Sequence, residues 1–228
     1  MQLRTPYEVF LGERYSKSKV ARLITFGCFK RGFDLVASSL SLVLLSPLFA
    51  VVAAAIKLDS PGPVLFRQER TGKHGKVFKM YKFRSMTVDN DIKDASCQDK
   101  YTRVGKFLRR TSIDELPQLI NVVKGQMSFI GPRPWITAYW DNMNEIERGR
   151  TAVRPGITGL AAAKGRNGLT VFEKIGYDLE YIRHYSLKQD ISVIFLTIGA
   201  LFKSDGVDAG KGKIHSDIND LKKRNCQK

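Results

Sequence analysis

Residues 35–56 read LVASSLSLVLLSPLFAVVAAAI, 22 consecutive positions without a charged side chain. At a helical rise of about 1.5 Å per residue the run is roughly 33 Å long, enough to cross the hydrocarbon core of a bilayer. Its middle carries Ser46-Pro47. A proline there removes a backbone donor, and its ring clashes with the preceding turn. That leaves two arms of about 11 residues, each roughly half a bilayer long. Ser46 is placed to satisfy a backbone group that the proline frees. The run begins well inside the chain and leads into Lys57-Leu58-Asp59 without a small-residue cleavage pattern, which argues against a secretory signal.

Charge on the two flanks separates the geometries. Residues 1–31 hold seven Lys/Arg against two acids, with Lys30-Arg31 close before the run. Residues 67–84 hold seven more against one acid, Glu69. Basic flanks favour the cytoplasmic side, and here both flanks ask for it. A helix–break–helix hairpin dipping into one leaflet satisfies both, whereas a kinked span would strand one flank outside. A re-entrant hairpin over residues 29–58 is therefore expected, with a kinked span and a buried core helix as the alternatives.

Around that segment, 228 residues with 43% hydrophobic and 26% charged side chains give one substantial core and no wholesale disorder. The formal charge of +16 draws the chain to polyanions. Neither a helix-turn-helix, a finger nor an aromatic RNA-binding strand is visible, so a nucleic-acid partner is not expected. Cys28, Cys97 and Cys226 are odd in number and far apart, and His74, His184 and His215 are scattered. That fits a reducing compartment and neither a disulfide scaffold nor a zinc site. The expected organisation is a basic lead-in (1–28) with a surface helix near 17–28, the hairpin (29–58), a main domain (59–205) and a polar flexible tail (206–228). Strands are expected at 64–67 and 77–83, a mobile loop at 88–101, and amphipathic helices around Leu108, Leu119 and Leu179. The apolar stretch 191–202 is too short to span and reads as core or as a helix in the membrane interface.

The densest chemistry lies in residues 109–134, RRTSIDELPQLINVVKGQMSFIGPRP. Asp114 and Glu115 are adjacent acids in a basic chain. Ser112-Ile113-Asp114-Glu115 matches a capping box, in which Glu115 reaches back to the helix start. Pro117 weakens that reading, because it falls just past the first turn of such a helix. A glycosidase pair would need carboxyls about 5–10 Å apart flanking one bond, which neighbours cannot readily arrange. Adjacent acids can instead serve as nucleophile and Mg²⁺ ligand, with substrate phosphates completing the metal's shell. Arg110, Arg133, Arg154 and Lys82 are available to meet phosphate charge, and Arg133 is stiffened between two prolines.

With these pieces in order, the sequence resembles the bacterial sugar transferase family, the small monotopic polyprenyl-phosphate phosphoglycosyl transferases that start glycoconjugate and exopolysaccharide assembly. The resemblance runs from about residue 30 to 207. It is carried by Lys30-Arg31, Ser46-Pro47, DSPGPVLFRQERTGKHGKVFKMYKFRSM (59–86), TSIDELPQLINVVKGQMSFIGPRP (111–134), VRPGITGL (153–160) and GRN (165–167). It implies an α+β fold: a mostly helical compact catalytic domain with a short β-hairpin, held by an N-terminal re-entrant helix–break–helix at the bacterial inner membrane and facing the cytoplasm. It implies that Asp114 attacks the β-phosphate of a UDP-sugar, releases UMP and passes the phosphosugar to polyprenyl phosphate. Glu115 would hold Mg²⁺ with Asp114 or assist proton transfer. Arg110, Arg133, Lys82, Arg84, Arg154 and Arg166 are the candidate phosphate- or nucleotide-binding cations. A homo-oligomer is left open. One departure stands out: Leu160-Ala161-Ala162-Ala163-Lys164 is poorer in side-chain amides than the family's usual stretch before GRN, which implies a different set of sugar or nucleotide contacts.

Overall fold

A computed structural model describes residues 17–87, 101–165, 168–202 and 213–226. Helix α1 (Lys17–Leu44) and helix α2 (Ser46–Asp59) meet at Leu45 with a 60° bend. Pro47 falls in the first turn of α2, where its missing N–H breaks no bond within that helix. The carbonyl it orphans is that of Val43, and the Ser46 hydroxyl donates to it at 2.8 Å. The break is thus written in two residues. Among the described residues no single helix is long and apolar enough to cross a membrane, but the bent pair together meets that test. The pair leaves apolar side chains uncovered, with Val43 71% and Leu44 77% exposed. No break marks residues 28 and 29, where the lead-in was expected to end; α1 runs through them without interruption.

The second arm docks on the rest of the chain. Val52 and Ile56 pack with Phe83 and Leu108, and each such side chain contributes about 1.5–3 kcal/mol on burial. Strands β1 (Leu65–Thr71) and β2 (Val77–Phe83) form the expected antiparallel hairpin, β1 running further than foreseen. Helix α3 (Arg103–Arg110) follows, then a 3₁₀ turn (Ile113–Glu115) and helix α4 (Gln118–Val123). Asn121 fastens α4 to β2: its amide donates to Lys79 O at 2.8 Å, and its carbonyl accepts from Tyr81 N at 3.0 Å. Arg31 of α1 fastens the other end, donating to the carbonyls of Val122 and Val123 at 2.6 and 2.9 Å.

Two three-residue strands, β3 (Ser128–Ile130) and β4 (Gly156–Thr158), pair in parallel. This pair unites the IGPRP and RPGITG segments backbone to backbone. A Cβ on Gly156 would sit 2.1 Å from the nitrogen of Gly131, so the approach needs glycine. Helices α5 (Thr137–Asp141), α6 (Glu145–Arg148), α7 (Leu160–Gly165), α8 (Val171–Arg183) and α9 (Leu187–Phe202) complete the domain up to residue 202. Tyr181, Ile182 and Val193 form its centre with Ile130, Ala152 and Leu160. The fold is mostly helical with two small sheets.

The tail departs from expectation. Helix α10 (Lys213–Cys226) buries Leu221 completely in the cluster of Tyr139, Met143, Val171, Ile175 and Leu179. Ile218 and Leu221, three apart, dock a helix that is otherwise mostly polar. The expected loop at 88–101 lies outside the described residues except for Tyr101, which bridges to Met86.

Candidate active site

Helix α3 is begun by Thr102, whose side chain accepts from Gly105 N, and ended by Thr111 and Ser112. Ser112 takes φ 59° and ψ 14°, a left-handed conformation that non-glycine residues seldom adopt. This corner swings the chain into the 3₁₀ turn that carries both acids. At three residues per turn, neighbouring side chains diverge by about 120°, so the two carboxylates face different surroundings. The capping box does not form, because Ser112 makes no side-chain cap. Glu115 turns instead to Lys82 of β2, at 2.7 Å, and to Arg133, which grips both of its carboxylate oxygens.

The electrostatics of the pair diverge as well. Burial alone would raise the Glu115 carboxyl, but Arg133 and Lys82 outweigh it and hold the group down at about 2. Asp114 is 7% exposed. Burial pushes its carboxyl above the ordinary range and the Glu115 charge adds to the rise, while Lys82, Arg109 and Arg133 oppose it. Among the described residues no hydrogen bond engages the Asp114 carboxylate. Glu115 is therefore the fixed partner of two cations. Asp114 beside it is a buried carboxylate whose basicity is raised by its surroundings.

Arg133 leaves the loop after β3, and its guanidinium also donates to Ile157 O at 3.3 Å. Asp114, Glu115, Lys82 and Arg133 are thus brought together. The other expected cations go elsewhere. Arg84, foreseen as a phosphate contact, is 5% exposed and donates to the carbonyls of Ile56, Ser60 and Pro61 and to the Ser60 hydroxyl. It closes the carbonyl end of α2, which is a structural task. Arg154 donates to Gly125 O at 2.9 Å, beyond the far end of α4, where Arg31 also lies. Arg110 is exposed at the end of α3, and Arg166 lies outside the described residues. The hairpin's flanking pair is also engaged. Lys30 is buried against Asp190 and Tyr181, and Arg31 holds the end of α4, so the Lys30 charge does not face a membrane surface.

Two cations near the pair were not singled out from sequence. Arg109 stacks over the Tyr101 ring at 4.9 Å and donates to its hydroxyl, and its charge acts on Asp114. Arg70 is buried enough to lower its pKa to about 10, and the charges of Arg133 and Glu115 act on it. Sequence supplied the pair Arg109-Arg110 but not the rotation of α3 that decides which one faces the acids. In the alanine-rich stretch, Leu160, Ala161 and Ala163 are buried and serve packing.

Among the described residues there is no cluster of three or more ligating side chains. Two carboxylates remain, the usual protein share of a Mg²⁺ shell that phosphates and water complete. The donor set therefore fits Mg²⁺ and does not fit a site made of protein ligands alone.

A family model described as bacterial sugar transferase matches residues 25–204. A UDP-glucose:undecaprenyl-phosphate glucose-1-phosphate transferase of Klebsiella pneumoniae is 48% identical over 182 residues, covering 75% of this chain and 39% of that protein. One of the same name from Caulobacter vibrioides is 43% identical, covering 77% of this chain and 70% of that protein. A UDP-N-acetylgalactosamine-undecaprenyl-phosphate N-acetylgalactosaminephosphotransferase of Aeromonas hydrophila is 41% identical, covering 78% and 44%. The chain thus spans about two fifths of the length of the Klebsiella protein.

Proposed function

The chain belongs to the bacterial sugar transferase family, and from that membership and the carboxylate site we propose that it transfers a sugar phosphate from a UDP-sugar to polyprenyl phosphate. The observation that carries the proposal is the division of labour between neighbours: Glu115 is committed to Lys82 and Arg133, while Asp114 is buried and raised in basicity without a hydrogen-bond partner among the described residues.

In the first step a carboxylate oxygen of Asp114 attacks the β-phosphorus. The bond between that phosphorus and the bridging oxygen breaks, and UMP leaves with the electron pair. A phosphate oxygen of the polyprenyl phosphate then attacks the same phosphorus. The aspartyl–phosphorus bond breaks, the carboxylate is restored, and a polyprenyl diphosphate sugar leaves. A carboxylate nucleophile splits one difficult transfer into two easier ones. Lys82 and Arg133 are the cations aimed at the developing phosphate charge. Bound Mg²⁺ would supply further charge neutralisation of the diphosphate, with Asp114 as its uncommitted protein ligand and Glu115 joining only as Lys82 and Arg133 turn to phosphate.

The bent α1–α2 pair is the proposed membrane anchor, entering and leaving the inner leaflet on the cytoplasmic side. Its uncovered apolar side chains and the two basic flanks support that placement. Helix α9 adds Ile191, Ile194, Phe195 and Ile198, all exposed, as an interfacial face opposite its buried Val193. A soluble donor and a lipid acceptor would then meet at a site tied to the anchor.

The test is UMP release from a panel of UDP-sugars by detergent-solubilised protein with Mg²⁺ and undecaprenyl phosphate. UDP-glucose leads the panel, since several relatives are named for it. Asp114→Asn is expected to abolish release while the fold persists, and mass spectrometry of enzyme with donor alone is expected to find an adduct on Asp114. Full turnover by that variant would remove Asp114 as nucleophile.

A further inference from the structure

The loop that presents Arg133 has no secondary structure of its own, and Pro132 and Pro134 contribute no N–H. Its four successive carbonyls are nevertheless all held from outside. Pro132 O accepts from Gly156 N at 3.1 Å, and Trp135 O accepts from Thr71 N at 2.9 Å. Pro134 O accepts from Arg70 at 3.4 Å, and Arg133 O accepts from Arg150 Nη2 at 2.8 Å. Arg150 does the most. Its guanidinium lies 3.8 Å from the centre of the Trp135 ring, so one side chain grips the backbone of residue 133 and the ring of residue 135.

Arg150 is itself pinned. Nε and Nη2 donate to a single oxygen of Asp178 at 2.9 and 2.6 Å, and both side chains are almost fully buried, at 3% and 2% exposure. The other Asp178 oxygen is buried without a hydrogen-bond partner. A buried ion pair is weak support for stability compared with apolar residues of the same volume. Such a pair directly beneath the arginine that clamps Glu115 asks for another role. Guanidinium geometry answers to it, since a planar fork can hold a carboxylate, a carbonyl and a ring face at once and an ammonium cannot.

We infer that Arg150, anchored by Asp178, is a positioning residue that fixes the Arg133 loop so that the Arg133 guanidinium meets Glu115 and the donor's phosphate at a set angle. Arg150 touches neither acid of the pair. The inference rests on the phosphoglycosyl transfer reading for its kinetic consequence, and on the loop's hydrogen bonds for its structural one.

Arg150→Ala strands the Asp178 charge and is expected to unfold, so Arg150→Lys carries the test. With the melting temperature close to wild type, kcat/KM for the UDP-sugar is expected to fall roughly 10- to 100-fold, the scale of a small misplacement of a binding group. In a double-mutant cycle, Arg133→Ala combined with Arg150→Lys is expected to be no worse than Arg133→Ala alone, because Arg150 acts through Arg133. Losses that multiply, or Arg150→Lys with wild-type kinetics, overturn the inference. If Arg150→Lys does not fold, Asp178→Asn takes its place in the same cycle: no further loss beside Arg133→Ala supports the inference, and multiplying losses overturn it. If the wild-type protein releases no UMP from any donor, the function reading fails, and amide hydrogen exchange decides the positioning role alone. Faster exchange at Thr71 and Gly156, whose N–H groups hold the loop, supports it in a folded variant; unchanged exchange at both overturns it.

Discussion

Asp114 and Glu115 are neighbours in sequence and opposites in chemistry, and the difference gives a pH signature. Glu115 is held at about 2, below its ordinary 4.5. A depressed carboxylate stabilises the fold above its unfolded pKa, and that stability is lost as pH falls toward the folded value. The window is therefore about pH 4.5 down to 2, and the ceiling is about 3 kcal/mol at 1.36 kcal/mol per pKa unit. Glu115→Gln should lower unfolding free energy at pH 7 by up to that amount and flatten the loss between pH 4.5 and 3, measured by denaturant titration at both ends. An unchanged pH slope would mean that Arg133 and Lys82 do not hold the carboxylate. Asp114 has the opposite sign: its carboxyl is raised, so its charge opposes folding once pH exceeds the unfolded pKa. The type of each residue was legible in the sequence, whereas direction was not. TSIDE fits a capping box on paper, and only the left-handed corner at Ser112 turns Glu115 toward Lys82, 33 positions away. Arg109 and Arg84 make the same point, since one is a close sequence neighbour of the acids and the other lies two positions past Lys82, and the rotation of a helix or strand decides which side chain arrives.

Elements defined by local rules are legible. The bend between α1 and α2 needs only a proline and a serine side by side, and the Ser46 hydroxyl makes the bond that Pro47 cannot. Ser46→Ala should leave the Val43 carbonyl without a donor. In an apolar setting that costs about 1–3 kcal/mol, to be read as a lower melting temperature in detergent. Cysteines placed near the N-terminus and after residue 59 should both resist an impermeant reagent applied to intact cells; labelling of either would contradict the one-leaflet anchor. Elements made by distant partners were not legible. The β3–β4 pair joins three residues to three others across a 28-residue separation, too short a signal for any period to show. Helix α10 is polar enough to pass for a tail, but Leu221 is fully buried under it. Leu221→Ala should destabilise the protein by about 2–5 kcal/mol, whereas a free tail would tolerate the change without effect on thermal unfolding.

At the scale of the whole molecule, the proposed anchor and the site form one body through contacts at both arms of the hairpin. The second arm is held by Val52 and Ile56 in the core and by Arg84 at its end. The first is held by Arg31 on α4, by Asp34 accepting from Phe129 N, and by Lys30. Lys30 reaches α8 and α9: it pairs with Asp190 and donates to the Tyr181 hydroxyl at 3.2 Å, and Tyr181 in turn donates to Asp190 at 2.6 Å. The ring of Tyr185 lies 5.7 Å from the ammonium. A hinge between anchor and chemistry would leave such a cluster open to water, yet Lys30 and Asp190 are each 6% exposed. The site is thus expected to sit at one fixed depth relative to the hairpin. Lys30→Met keeps the side chain's length and removes its charge, which leaves Asp190 buried and unpaired at a cost of about 3–5 kcal/mol. Lys30→Met with Asp190→Leu should recover much of that loss, because two apolar groups replace the pair. Thermal unfolding of the three variants in detergent measures the coupling, and a double variant as unstable as the sum of the singles would show that the two residues act separately and that the anchor is not locked to the domain through them.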